Sequence, residues 1–486
     1  MQSRRDQVQA HLFVMSRVAA GVLRAEPDAP DTPVGRTNRG AALGLAVALL
    51  IGVGAGVYGL VKPGGASGWK KPGTLVVVKE TGASYLFADG LLHPVLNEAS
   101  ARLLAGDQLT VAQVSARSLA GAERGVPIGI VGAPDGLPGA ATVAGADWLV
   151  CSVQTAGSGA VKSVPQLTVG VGTRQPGRDA GEQAVLVGAP DGTVHLLWHG
   201  SRFALDAAGG AVRALGYAAA VPVPVTASFL AAFPVGPDLR APELPGRGNA
   251  GPALSGHATR IGQLFTGTGT GDERYLLTEA GLVPVTATQL ALLQGDLRTQ
   301  RDAYGGGQVT PAPVGAADLA AHSAPAAATA ALNPAGLPGR PPALLLPGAE
   351  RAVCAALHPT ADGGDLELAV PDAVTVLGLP PALQPGVIPS CTPADRIAVR
   401  PGGGALVRAL SGGGFGSTLY LVTDTGVKYP LASAAVAERL GYAKAAPAAV
   451  PGRLLSLLPT GPSLDPAPLA AGVVQPPAAA EGRCAR

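Results

Sequence analysis

The chain has 486 residues and a formal net charge of +2, and 47% of it is hydrophobic against 14% charged and 4% aromatic. So balanced a charge, with no run of Lys or Arg interleaved with aromatics, lacks the electrostatic footprint of a nucleic-acid binder. Its 69 glycines and 45 prolines weigh against long helices beyond the N-terminal part and favour short strands, turns and short helices.

Residues 3–23 carry Val8, Leu12, Met15, Val18, Ala19 and Val22 at helical spacing, with Arg4, Arg5, Asp6 and Arg17 elsewhere, which predicts an amphipathic helix. A lone helix of this length is marginal, so it is expected to lie on a membrane surface or dock on a partner. Pro27, Pro30 and Pro33 end it in a short extended linker. Residues 40–61 then run without a charge; as a helix they rise about 33 Å, enough to cross a bilayer. The run is too long, and begins too far along the chain, for the apolar core of a cleavable signal peptide, so it is expected to stay as an anchor. Arg4, Arg5, Arg17, Arg24, Arg36 and Arg39 outweigh the acids before it and favour that side in the cytosol, although Lys62, Lys70 and Lys71 follow the span. Gly52 and Gly56 form a small-xxx-small pair that would let a second helix approach closely. A Gly-rich chain also generates that spacing by composition alone.

Beyond the span the chain repeats itself. YLFADGLLHPV from Tyr85 and YLLTEAGLVPV from Tyr275 each read as strand, turn and helix. VHLLWHG from Val194 and LYLVTDTGVKYPL from Leu419 stay in register for longer. They pass through Leu215-Gly216-Tyr217 and Leu440-Gly441-Tyr442 to the turns Pro234-Val235-Gly236-Pro237 and Pro459-Thr460-Gly461-Pro462. Gly136-Leu137-Pro138-Gly139 precedes Cys151 as Gly336-Leu337-Pro338-Gly339 precedes Cys354. Two equivalent halves in a pseudo-twofold arrangement follow. Cys151 and Cys354 then occupy equivalent positions, where a disulfide would staple the halves; the alternative is that each is a small buried apolar residue. Cys391 and Cys484 are left as candidates for a second pair, and an even count of four fits an oxidising compartment. The expected organisation is a cytosolic segment (1–39), the span (40–61), a juxtamembrane linker (62–80), repeat 1 (81–125), the first half of a central core (126–190) and repeat 2 (191–240). A Pro/Gly-rich linker (241–270), repeat 3 (271–308), the second half of the core (309–410), repeat 4 (411–465) and a disordered Ala/Pro-rich tail (466–486) complete it.

With SRRDQVQAHLFVMSRV at 3–18, GAPDGLP at 132–138, the paired cysteines and TLYLVTDTGVKYPL at 418–431, the chain resembles the EccB family, a core inner-membrane component of the type VII (ESX) secretion system, over nearly its whole length. The resemblance implies a membrane-anchored α+β protein. One N-terminal transmembrane helix would be followed by an elongated periplasmic region, with four strand-turn-helix repeats around a central β-rich core. It implies a structural scaffold in the cytoplasmic membrane that supports protein export. The implied partners are an EccC-like motor ATPase, EccD-like and EccE-like membrane subunits, a mycosin-like protease and further copies of the chain. Cys391 and Cys484 depart from the family pattern.

Family members are also labelled ATPases, which makes ATP the alternative cofactor to none. A Walker A loop needs G-x-x-x-x-G-K-S/T. The nearest text, Gly64-Gly65-Ala66-Ser67-Gly68-Trp69-Lys70, has Trp where Gly must precede Lys, and no residue is assigned to catalysis or to nucleotide. No G-x-S-x-G elbow or H-E-x-x-H helix is present. His195 and His199 fall in a strand-like segment, where four residues span about 13 Å and cannot share one metal ion, so no metal site is expected. Asp89 and Asp424 recur at matching turns and read as turn residues. A cell-envelope-binding module is a further alternative, but Trp69, Trp148 and Trp198 are scattered rather than grouped as a sugar platform.

Overall fold

The computed structural model describes residues 3–25, 33–61, 67–156, 163–172, 177–269, 273–381, 384–412 and 414–475. They divide into two compact units, the smaller comprising the chain up to Lys71 together with Val76–Ala83 and Val111–Glu123.

In the smaller unit the first helix spans Arg4–Arg24. Ser3 donates its backbone N–H and hydroxyl to the Asp6 carboxylate, and the Asp6 N–H donates back to the Ser3 hydroxyl, a reciprocal cap that satisfies donors a helix start leaves open. The second helix spans Pro33–Val61. Its Thr37–Tyr58 stretch has a mean hydropathy of 2.2 and none of it is buried by protein.

The larger unit is organised around a six-stranded sheet in the order Arg396–Val399, Ser163–Val171, Trp148–Ala156, Val353–Leu357, Leu366–Pro371, Gly177–Asp179. Side chains alternate across a strand with period two, and the sheet uses both faces. Trp148, Val150, Ala355 and Leu357 join Phe229, Phe233, Leu454 and Leu458 in the largest apolar core. Leu149, Cys151, Val153, Cys354 and Ala356 line a second core on the other face.

Three four-stranded sheets share one construction: a three-strand meander, a helix, then a fourth strand parallel to the first. They comprise Val185–Gly188, Val194–Trp198, Ser201–Ala204 and Val223–Pro224; Leu264–Gly267, Arg274–Thr278, Gly281–Val285 and Ala312–Val314; and Ala405–Ser411, Gly414–Val422, Lys428–Leu431 and Ala448–Pro451. Ser84–Ala88 and Leu91–Pro94 pair as a further hairpin, followed by the helix Glu98–Ala105 that Asn97 caps through its side chain. Turn chemistry sets these hairpins. Asp89-Gly90 and His199-Gly200 all have positive φ, the two-residue turn whose twist matches that of the flanking strands. At Gly200 a side chain would also run into the backbone oxygen of Leu366.

The sheets begin earlier than the sequence boundaries. Val185–Gly188, Leu264–Gly267 and most of Ala405–Ser411 lie ahead of 191, 271 and 411, because each meander opens with a strand that carries no turn signal of its own. The segment 241–270, expected as a linker, is packed: Leu244, Leu254 and Ile261 are buried. Arg247 donates to the Asp296 carboxylate, to the Thr299 hydroxyl at 2.6 Å and to the Pro242 carbonyl at 2.8 Å. Burial alone would raise the Asp296 carboxyl, but hydrogen bonds from Thr299 and Arg298 and the Arg247 charge hold it below its ordinary range. Residues 466–475, the described part of the expected tail, are structured rather than disordered. Leu469 is fully buried, and Val473–Val474 pairs in parallel with Gly129–Ile130.

Candidate functional site

The features with a bearing on function are the two N-terminal helices and the ties that brace the body. The first helix exposes Val8, Leu12, Met15, Val18 and Val22, and also Phe13, Val14 and Leu23, so its apolar surface is broader than the single stripe expected. Arg17 sits 5.2 Å from the centroid of the Phe13 ring, a cation–π contact. On the spanning helix, space is open around the Cβ positions of Gly40, Gly44, Gly52 and Gly56.

The body is braced where its halves meet. Trp148–Ala156 and Val353–Leu357 run antiparallel with Cys151 directly opposite Cys354, Cα atoms 4.0 Å apart and sulfurs bonded. The bond closes a separation of 203 residues. Cys391 is also disulfide-bonded, while Cys484, named as its candidate partner, lies outside the described residues.

Two tyrosine hydroxyls add a crossed pair of ties. Tyr217 donates to the Pro342 carbonyl at 2.9 Å and Tyr442 to the Pro138 carbonyl at 2.8 Å, so each half's Leu-Gly-Tyr element holds a segment of the other half. Gly216 and Gly441, both at positive φ, turn the chain before each ring. Burial pushes the Tyr217 hydroxyl up to about 12 and raises that of Tyr442 too. The recurrence of Leu-Gly-Tyr was the available signal; the hydrogen-bond acceptors, 125 and 304 residues away, had none. Lys428 donates to the Leu455 carbonyl at 2.8 Å and the Leu458 carbonyl at 2.6 Å, and burial lowers its pKa to about 8.

The residues weighed for chemistry take structural places. His195 lies in the strand Val194–Trp198, whereas His199 is the turn residue after it, stacked on Trp198 at 3.9 Å and 3.3 Å from Glu182 Oε1. Asp89 occupies a left-handed turn position, and Asp424 accepts the Gly402 N–H at 2.8 Å. No group of three His, Cys, Asp or Glu suited to a metal ion occurs among the described residues. Trp69, beside the text nearest a Walker loop, is buried in the short turn Ser67–Trp69, with Lys70 5.5 Å from its ring.

An apolar N-terminal helix with the dimensions of a membrane span and a stapled body of recurrent sheets are the features of a membrane-anchored α+β protein. Residues 1–474 match the family described as type VII secretion system ESX-1, transport TM domain B, and the chain belongs to that family, a component of type VII secretion systems. It is 30% identical over 496 aligned positions to the ESX-3 secretion system ATPase EccB3 of Mycobacterium tuberculosis, covering 95% of this chain and 88% of that protein. It is 29% identical to the EccB3 of Mycolicibacterium smegmatis, covering 95% and 89%. Among solved structures it resembles a chain of the intact ESX-5 inner membrane complex, with a TM-score of 0.66 at 24% identity over 98% of this chain and 97% of that one. It also resembles the EccB3 dimer from the ESX-3 core complex, with a TM-score of 0.61 at 25% identity over 81% and 99%.

Proposed function

We propose that this chain is a non-catalytic scaffold of a type VII (ESX) complex, anchored in the cytoplasmic membrane with residues 1–39 in the cytosol and the folded body on the periplasmic side. The observation that carries the reading is the pairing of an unburied 22-residue apolar helix stretch with a body whose halves are tied by a disulfide and two buried tyrosine bonds. Such a body resists being pulled apart by the partners it connects. The arginine excess before the span supports the orientation, as do bonded cysteines, which persist in oxidising compartments.

In this reading the first helix docks on cytosolic and membrane partners, an EccC-like motor and EccD-like and EccE-like subunits. Gly52 and Gly56 offer a close-approach face to a neighbouring helix, and a mycosin-like protease is met on the periplasmic side. The body meets other copies of itself, a reading supported by its likeness to EccB3, which forms a dimer in the ESX-3 core complex. The relatives' name includes ATPase; this sequence holds no Walker A pattern to supply a phosphate cradle. The test is the native mass and composition of the tagged chain, gently solubilised from its own membranes, with and without residues 3–23. A large assembly with motor and membrane subunits that is lost on the deletion is expected. A monomer or dimer that hydrolyses ATP after stringent purification would overturn the reading.

A further inference from the structure

The chain has four cysteines. Cys151 and Cys354 are bonded to each other, and Cys391 is disulfide-bonded as well, which leaves Cys484 as the one thiol in the sequence that can complete its bond. The described residues lead the two toward one place. Val387, shortly before Cys391, packs on the apolar core that also takes Leu469 and Val474. Val474 accepts the Val131 N–H at 3.0 Å, and the next residue, Gly132, lies so close to the Pro385 carbonyl that a methyl group would not fit there. The segment leading to Cys391 is fixed in turn. Ile388 and Thr460 exchange backbone hydrogen bonds at 2.7 and 2.9 Å, and the Ser390 hydroxyl donates to the Ser456 carbonyl. The stretch from Gln475 to Cys484 extends up to about 30 Å, and Cys391 is exposed to meet it.

We propose that Cys391 and Cys484 form a second disulfide, which clasps the C-terminal segment shut as a belt from the last repeat to the first. Leu464 ends the last repeat with its bridge to Leu431, and the chain then crosses to the helix Glu98–Ala105. There Leu469, fully buried, joins Ala99 and Leu103 of that helix in one core, and Val473–Val474 adds a strand beside Gly129–Ile130. A two-residue strand near a chain end frays unless something ties it down; the clasp is that tie. The other half shows why only this copy needs one. Leu239 bridges to Leu205 as Leu464 does to Leu431, but the chain after it runs on into 241–270, where Arg247 and Asp296 hold it.

Forming the bond takes two protons and two electrons from the thiols, and a disulfide oxidant of the periplasm accepts them. One thiolate attacks the oxidant's disulfide, the other displaces the resulting mixed disulfide, and the oxidant leaves as a dithiol carrying both electrons and both protons. The clasp therefore rests on the periplasmic placement of the body. Cys151 and Cys354 are 1% and 0% exposed, whereas Cys391 lies at the surface. Exposed disulfides are the labile ones, so the clasp opens before the seam, and a reducing change releases the belt while the halves stay stapled.

The test starts from native membranes treated with N-ethylmaleimide to block free thiols, followed by purification and Glu-specific digestion without reductant. Cleavage after Glu367, Glu438 and Glu481 places Cys391 in 368–438 and Cys484 in 482–486, while Cys151 falls in 124–182 and Cys354 in 351–367. Mass spectrometry should find 368–438 linked to 482–486 and 124–182 linked to 351–367, from a chain that runs as a monomer on a non-reducing gel. Cys484 recovered alkylated, or a disulfide-linked dimer, overturns the clasp alone when the 124–182 link is present; loss of both links overturns the periplasmic placement as well. Hydrogen exchange then reads the belt. Cys484→Ser, which alters none of the described residues, should speed exchange in 467–475 and 128–131 at least tenfold, and Cys391→Ser should match it. Unchanged exchange in both variants, or a phosphine titration that opens Cys151–Cys354 first, would overturn the assignment.

Discussion

The disulfide across the seam allows the most direct test of how the body is held together. Replacing both Cys151 and Cys354 by Ala opens a closed loop of 203 residues. In the chain-entropy description a loop of that size removes about 18 cal/mol/K from the unfolded ensemble, or about 5 kcal/mol at 25 °C. Unfolding entropy of about 2.1 cal/mol/K per residue over roughly 400 residues after the span is about 0.8 kcal/mol/K, so the melting temperature should fall by about 6 °C. Scanning calorimetry of the purified chain measures this. The double variant is the right perturbation, because a reductant would also open the bond at Cys391. Cys151→Ala alone should melt close to the double variant, since either change breaks the same bond and neighbouring effects of this kind do not add. An unchanged melting temperature in the double variant would mean that the antiparallel ladder alone holds the halves, and the stapling argument would fail.

Tyr217→Phe and Tyr442→Phe keep the ring but orphan the carbonyls of Pro342 and Pro138; each should cost about 1–3 kcal/mol in denaturant titration. Tyr217, Tyr429 and Tyr442 all have raised pKa values from burial, the first two to about 12. At about pH 11 the phenolate absorbance of the folded chain should therefore fall short of that of the unfolded chain. The linkage runs in the alkaline direction: a group whose folded pKa lies above its unfolded one contributes stability that is complete below pH 10 and is lost as pH rises through about 12. Gly200→Ala should cost about 1–2 kcal/mol for the left-handed backbone alone, and more from the clash with the Leu366 oxygen. Gly136→Ala, where the added methyl meets nothing within 4 Å, should leave the melting temperature nearly unchanged.

How much of this was legible in the sequence follows from how local each signal is. The span is a one-dimensional property of an uncharged run, and the helix covers it. The hairpins were legible because their turns need residues that accept positive φ, and Asp89-Gly90 supplies them. The opening strands were not. VLVG at 185–188 and LFTG at 264–267 are short apolar runs whose periodicity does not tell strand from helix. The returning parallel strands are two to four residues long and owe their place to a partner strand tens of residues earlier.

Composition misled where it stood in for packing. Segment 241–270 reads as a linker because Pro242, Pro245, Gly246 and Gly248 punctuate it, yet those residues serve tight turns that aim Arg247 at Asp296, 49 residues on. An Arg almost free of solvent contact beside an equally buried Asp is what a linker cannot contain, since unpaired charges would not stay buried. Leu244, Leu254 and Ile261, spaced through the same stretch and all buried, were the readable sign of a core.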